Sequence, residues 1–510
     1  MDLMTHSSSD IEREIASLKA DVKALGENVE IQGQVQLEIA KLLQHFHQQQ
    51  QALPQQVGEV VKRAFDGLDW GKIAVTQDAV SKLDSRLTQL LVNSITTKQA
   101  ANMTLRRLGP ATEKIRAVFI VQSIPMWDAL ADVYWEMTKD DRFHPTVVSI
   151  DHRHLGRAEF AGEDDVHKGL TGQNIPHLRL NVPPLEALDI LRNLQPDVVF
   201  RQQQWDSPVP AGMRTPELTF ARICVVPYGM GHLANLKAKS EREEASPSNY
   251  DQEHHRMAWR VFCETEVTRS YFKSFMHCDP DKLILSGYPK LDRLLAEKGK
   301  GEWPIPEPKG RTFRVIWAPH HSLAVRGSGF GVFHRIHRQM LDWARTSGDI
   351  QFVFKPHPAL SYAARNTPGL SAGDYDAFCA AWSALPNCTI CEGDYGKLFD
   401  ASDIMLTDGV AFLTEYHLFG KPLIFFDSGV HPPFDAIGRL GERCAHRVKS
   451  FGDMQTATLA YKNGKAWERE EERRELLRVI MPHQGKAARI IVDSIADGLG
   501  VSRKTSQAIG

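Results

Sequence analysis

Cysteine is scarce in this chain: seven residues in 510, too few and too scattered for a disulfide framework. No apolar run approaches the roughly 20 residues that a membrane-spanning helix needs. The start, MDLMTHSSSDIEREIASLK, has no basic stretch followed by an apolar core, so no secretory signal is expected. Excess charge is missing too. With 61 Lys and Arg against 63 Asp and Glu, the net charge of -2 offers no general attraction for nucleic acid or an anionic surface. Cys388-Thr389-Ile390-Cys391 has redox-motif spacing, but it falls in an expected strand with no second pair, so neither metal nor redox chemistry is expected there. What remains is a cytoplasmic globular chain, 42% hydrophobic and 24% charged, long enough for roughly two to four domains.

Residues 1–105 form a first segment with no cysteine and no proline before Pro54. Ile11, Ile15, Leu18, Val22, Leu25 and Val29 alternate four and three apart, the seam of a coiled coil. The phase slips near Gly33, and Val35, Ile39, Leu42 and Phe46 resume it. After a Gln-rich break over 47–56, a second apolar series runs through Val80, Leu83, Leu87, Leu90 and Leu91. A helix with such a stripe needs something to cover it. Association with a further copy or another protein is expected, with a helical hairpin on the chain's own catalytic part as the alternative.

From residue 115 the periodicity changes. Short apolar runs at 117–121, 146–150, 197–200, 223–226, 260–263 and 282–286 read as buried strands, with helices expected over 127–138 and 185–194. Residues 296–310, AEKGKGEWPIPEPKG, have a linker composition. A second series of strands follows at 314–318, 352–355, 389–391, 404–406 and 423–426, then helices over 466–477 and 487–499. Alternating strands and helices imply parallel, doubly wound sheets. The expectation is an α/β protein of the GT-B architecture. A helical segment, 1–105, would precede two Rossmann-like domains, 106–300 for an acceptor and 301–510 for a nucleotide donor, facing each other across a cleft.

In such sheets ligands bind at the carboxyl ends of the strands. In the second half those ends carry Trp317-Ala318-Pro319-His320-His321-Ser322, Lys355-Pro356-His357-Pro358, Thr407-Asp408-Gly409 and Asp427-Ser428-Gly429. Lys355 and a histidine there would neutralise a diphosphate, and the helix expected over 410–419 would present its first N–H groups to it. Glu415, two turns into that helix, would accept from ribose hydroxyls. Each residue taken singly also fits an ordinary strand-helix-strand unit.

Lys355-Pro356-His357-Pro358, Ala401-Ser402-Asp403 through Asp408, Glu415-Tyr416 and Gly420-Lys421-Pro422-Leu423-Ile424-Phe425-Phe426 together resemble the CDP-glycerol glycerophosphotransferase family, which includes teichoic-acid and capsule polymerases. Pro196-Asp197-Val198-Val199-Phe200, Val226-Pro227-Tyr228-Gly229 and Ser286-Gly287-Tyr288-Pro289-Lys290-Leu291-Asp292 carry the likeness into the first half. It spans roughly 115–498. The resemblance implies a transferase that takes a nucleotide-activated donor as substrate and uses no cofactor and no metal. His357 would contact donor phosphate or assist the leaving group, Thr407, Asp408 and Gly409 would form the phosphate turn, and Glu415 would hold the ribose. Where the family often has His-Gly-Thr, this chain has Tyr228-Gly229-Met230. Either the general base is His232, or it is His320 or His321 from the facing domain, or the chemistry differs from the family's.

The function expected is transfer of glycerol-phosphate or a sugar from a CDP-glycerol or nucleotide-sugar donor to a glycan or lipid-linked cell-surface acceptor. A homo-oligomer built through the N-terminal helices and peripheral association with the inner membrane face accompany it. The alternatives are a nucleotide-sugar 2-epimerase, which needs carboxylates on both sides of a sugar, and a non-catalytic scaffold acting through its coiled coil.

Overall fold

The computed structural model describes residues 114–153, 159–230, 245, 247–307, 310–323, 329–367, 369–371 and 373–501. The expected coiled coil and His232 lie outside them. Two compact units are distinguished. One includes Val182–Gln195 and Asp206–Ala221, where Thr215 donates to the Asp206 carboxylate through both its N–H and its hydroxyl (3.1 and 2.8 Å). The other holds both large sheets.

The first sheet takes β1 (Ile115–Val121), β2 (Phe143–Ser149), β5 (His177–Arg179), β6 (Val198–Arg201), β7 (Arg222–Val225), β8 (Arg260–Cys263) and β9 (Leu283–Leu285). A small antiparallel pair, β3 (His152–Arg153) and β4 (Phe160–Ala161), stands apart from it. The spatial order is β5-β2-β1-β6-β7-β8-β9, all parallel. The second sheet takes β10 (Phe313–Ala318), β11 (Ile350–Phe354), β12 (Cys388–Ile390), β13 (Ile404–Thr407), β14 (Leu423–Phe426) and β15 (His446–Val448), again all parallel, in the order β12-β11-β10-β13-β14-β15. Both are the doubly wound 3-2-1-4-5-6 arrangement, the first extended by one strand. Central strands such as β11 and β13 are buried along their whole length, which is why they read as unbroken apolar runs rather than as alternation.

Six helices matter for the site and its support. They are α1 (Ile124–Thr138), α2 (Pro289–Ala296), α3 (Phe333–Thr346), α4 (Phe412–Glu415), α5 (Glu470–Ile480) and α6 (Ala487–Gly498). α1 buries Trp127, Leu130, Val133, Tyr134 and Met137 against the first sheet. α6 returns the end of the chain to that same core through Ile491, Val492, Ile495 and Ala496. Its start is held by the Asp292 carboxylate of α2, which accepts from the N–H groups of Gly485 and Ala487 at 2.6 and 3.0 Å. A further core joins Ala129, Tyr288, Leu291 and Leu294 of the first half to Ile316, Leu413 and Tyr416 of the second.

In doubly wound sheets the crevice opens where the strand order reverses. That point lies between β1 and β6 in the first sheet and between β10 and β13 in the second. A polar side chain bridges each. Gln202 Oε1 accepts from the N–H groups of Gln122 and Ser123 (2.7 and 2.9 Å), and its amide returns a bond to the Ser123 carbonyl (2.8 Å). Asp408 does the corresponding work in the second sheet.

Candidate active site

β13 ends at Thr407, and the turn after it closes on itself. The Thr407 hydroxyl donates to the Ala318 carbonyl (2.7 Å) and accepts from the Gly409 N–H (2.9 Å). The Asp408 carboxylate, 2% exposed, accepts from the N–H groups of His320 and Val332 at 2.5 and 2.6 Å. The side chains expected to form a phosphate turn have partners within the protein. Thr407 and Asp408 spend their side chains fastening β13 to the loop after β10 and to the start of α3, leaving the helix start beyond Gly409 for any ligand. The helix expected over 410–419 is one α-turn, α4, continued by a 3-10 turn at Tyr416–Phe419. Gly420, at φ +73°, closes it in the left-handed region that suits glycine.

Beside this turn the loops after β10 and β11 bring three imidazoles together. Ring centroids are 4.3 Å apart for His320 and His321, 4.1 Å for His321 and His357, and 5.4 Å for His320 and His357. A side chain begun at Gly409 would put its Cβ 3.8 Å from His320 Cδ2, so the turn and the cluster adjoin. The Ser322 hydroxyl and N–H both point at His320 Nδ1 (2.7 and 3.2 Å). Because that hydroxyl already accepts from Phe330 N–H at 3.1 Å, its proton is free for Nδ1, and the His320 ring proton is assigned to Nε2. His357 Nδ1 likewise accepts from the Ala359 N–H (3.1 Å). His321 Nδ1 is buried with no partner. Desolvation lowers the pKa of all three rings, and mutual repulsion adds to it for His320 and His357. They stand neutral near pH 7 as a group of N–H donors with little competing charge.

Lys355 and Glu415 meet at a second focus, around Tyr395. Lys355, 7% exposed, donates to the Gly393 carbonyl (2.9 Å) and lies 5.1 Å from the Tyr395 ring centre. Desolvation lowers its pKa, against the pull of Cys391, Asp394 and Glu392. Glu415 is buried, accepts from the Tyr395 hydroxyl (2.5 Å), and pairs with Lys290 at 3.1 Å. Lys290 comes from α2 and also stands over the Tyr395 ring, at 5.3 Å. Glu415, expected to hold the ribose, is here one member of a Lys290–Glu415–Tyr395 group joining the two halves.

A cavity of about 570 Å³ opens at this second focus, lined among others by Asp128, Lys290, Arg293, Trp303, Asp394 and Tyr395. Burial raises the Asp128 carboxyl, countered by Arg293 and Lys290. None of these six was a sequence-derived site residue. Lys290 stands in a motif already singled out, but Tyr395 and Asp128 carry no local signal, because only tertiary packing places them opposite Glu415. Among the described residues no group of three or more His, Cys, Asp or Glu is arranged to hold a metal ion.

Residues 229–431 match the family model described as CDP-glycerol:poly(glycerophosphate) glycerophosphotransferase. No curated protein sequence matches the chain. Among solved structures, the UDP-GlcNAc 2-epimerase of Neisseria meningitidis bound to UDP-GlcNAc superposes with a TM-score of 0.50 at 16% identity, over 75% of this chain and 100% of its own. The Methanocaldococcus jannaschii UDP-GlcNAc 2-epimerase in complex with UDP-GlcNAc and UDP gives 0.50 at 14%, over 75% and 100%. A variant of the wall teichoic acid polymerase TagF gives 0.48 at 13%, over 84% and 99%. The epimerase likenesses concern the fold alone. Fold and family match together define the class, a transferase enzyme of GT-B architecture. Within that class the particular likeness is to the CDP-glycerol glycerophosphotransferases. It covers the stretch holding His320, His321, Lys355, His357, the 407–409 turn and Glu415.

Proposed function

We propose that this protein transfers glycerol-phosphate, or a sugar, from a nucleotide-diphosphate-type donor to a hydroxyl of a surface-polymer acceptor, with the donor bound by residues 301–510 and the acceptor by 106–300. The observation that carries the reading is the position of the imidazole cluster. It sits at the reversal point of the second sheet, beside the start of α4 and inside the family-matched stretch. With CDP-glycerol as donor, the acceptor oxygen bonds the distal phosphorus, the bridging P–O bond breaks, and CMP leaves with the electron pair. His320 and His357, whose Nδ1 atoms already accept bonds, face the phosphates with Nε2–H. They stabilise charge as it develops on the leaving group. His321 is the imidazole whose tautomer no neighbour sets, and we assign it the acceptor's proton.

Incubation with CDP-glycerol and with CMP- and UDP-linked donors, with nucleotide release measured, tests the reading. CMP release from CDP-glycerol that depends on added polymer acceptor supports it. Release from no donor, together with no nucleotide-induced thermal shift, sinks it. His357→Ala is expected to slow release about 10²–10³-fold, the scale of losing one charge-stabilising donor. His357 lies in a loop outside the hydrophobic cores, so the variant should still fold and melt cooperatively. Wild-type turnover in the variant would remove His357 from the site.

The segment 1–105 is proposed to associate copies of the chain and hold them near a lipid-linked acceptor. Among the described residues no helix is long and apolar enough to cross a membrane. Deletion of residues 1–100 should reduce the mass measured by light scattering to that of a smaller assembly. An unchanged number of copies would assign the apolar stripe to packing within one chain.

A further inference from the structure

Lys290 is held in a way that the donor-binding reading does not by itself explain. It lies in the first turn of α2, just beyond β9, and so belongs to the first half. Its ammonium is 3.1 Å from Glu415 Oε1, with its side chain 14% exposed and the carboxylate's 3%. Two lysines stand near the ring of Tyr395, Lys290 at 5.3 Å and Lys355 at 5.1 Å from its centre. Lys355 donates to the Gly393 carbonyl, while Lys290 is paired with the Glu415 carboxylate. The adjoining cavity of about 570 Å³ is lined by Lys290 itself, with Asp128, Arg293, Asp394 and Tyr395 around it.

Two residues earlier, Tyr288 is 2% exposed and its hydroxyl has no hydrogen-bond partner. Burial raises its pKa first, and the charges of Glu415, Glu264 and Asp128 add to that. A buried hydroxyl without an acceptor is costly. The Tyr288 hydroxyl is therefore a polar group whose partner the protein itself does not supply. Lys290 and Tyr395 thus connect two features: a cavity wall large enough for a ligand and, behind it, the buried Glu415 carboxylate on which both side chains converge.

A diphosphate outcompetes one carboxylate for an ammonium, because it carries more charge and more acceptor oxygens. Lysine suits such an exchange, with three donors on a flexible four-carbon stem. We propose that Lys290 is a donor-sensing positioning residue. When a nucleoside diphosphate enters, its ammonium passes from Glu415 to the phosphates, and Glu415 Oε1 is released to accept from the ribose. The assignment rests on the nucleotide-donor reading above. It adds that the first half reads the phosphates, and that a nucleoside without phosphates meets a Glu415 still occupied by Lys290.

The test measures CDP-glycerol binding by calorimetry and cytidine binding by ligand-observed NMR titration, in the full-length wild type, Lys290→Met and Lys290→Arg. In Lys290→Met, CDP-glycerol should bind about ten- to a hundredfold more weakly, the range of one charge-assisted hydrogen bond. Cytidine should bind as well as in wild type or better, because Glu415 is unmasked. Lys290→Arg, which keeps the charge, should stay within about tenfold of wild type for CDP-glycerol. Equal weakening for both ligands would make Lys290 a structural strut and overturn the exchange, and so would unchanged CDP-glycerol binding in Lys290→Met. Wild-type protein that binds neither ligand would overturn the donor reading itself, and this assignment with it.

Discussion

Glu415→Ala is expected to lower the stability of the protein by about 3 kcal/mol and to bring donor turnover below detection. The carboxylate it removes is buried between Lys290 and the Tyr395 hydroxyl. Deleting one partner of a buried ion pair costs about 3–5 kcal/mol, because the other charge is left without compensation. The lower end applies here, since Lys290 keeps 14% of its side chain in contact with water. Glu415→Gln separates structure from function. The amide oxygen can still accept from Tyr395, and the volume is unchanged, so most of the stability should return. Turnover should stay at least tenfold down, for want of a charged acceptor. A Gln variant with wild-type turnover would confine Glu415 to joining the two halves. An Ala variant as stable as wild type would mean that Lys290 reaches water freely.

The second large effect is expected at Asp408. Its carboxylate satisfies two backbone N–H groups, one in the loop of His320 and one at the entry to α3. Asp408→Ala orphans both, at about 1–3 kcal/mol each, and releases the loop that sets the His320 ring beside His321 and His357. Destabilisation of about 2–6 kcal/mol with loss of turnover should follow. Burial also pushes the Asp408 carboxyl up to about 7, against the two N–H groups that pull it down. An unfolded aspartate titrates near ~3.9. Between those values the folded chain keeps a proton that the unfolded chain has released. The contribution to stability is therefore complete below about pH 4 and is lost as the pH rises through about 7. Thermal melts from pH 4 to 8 should show this downward component in wild type. Asp408→Asn, less stable throughout because its NH2 faces an N–H, should lack it. Parallel pH profiles for the two proteins would show that Asp408 does not carry the slope.

Both cases show where sequence reasoning stopped. Thr407, Asp408 and Gly409 were legible as a turn at a strand end, because an apolar run followed by small polar residues and a helical period leaves few alternatives. Their roles were not. Whether a carboxylate faces a ligand or the protein's own N–H groups depends on which loops adjoin it, and here those loops come from residues 88 and 76 positions away. Likewise Glu415 was found from its distance along the helix, but its partners Lys290 and Tyr395 come from α2 and from the loop after β12.

By itself the sequence determined the two series of parallel strands, the strand ends that carry histidine and lysine, and the likeness to the glycerophosphotransferases. Those properties are local, since buried parallel strands are written as short apolar runs and their loops as polar punctuation. The tertiary structure alone decided the rest. It gathered His320, His321 and His357 into one cluster, turned Asp408 inward as a fastener, and set Lys290 against Glu415. Those outcomes depend on distances between side chains far apart in the chain, which strand order and the packing of the two halves create and which no local pattern encodes.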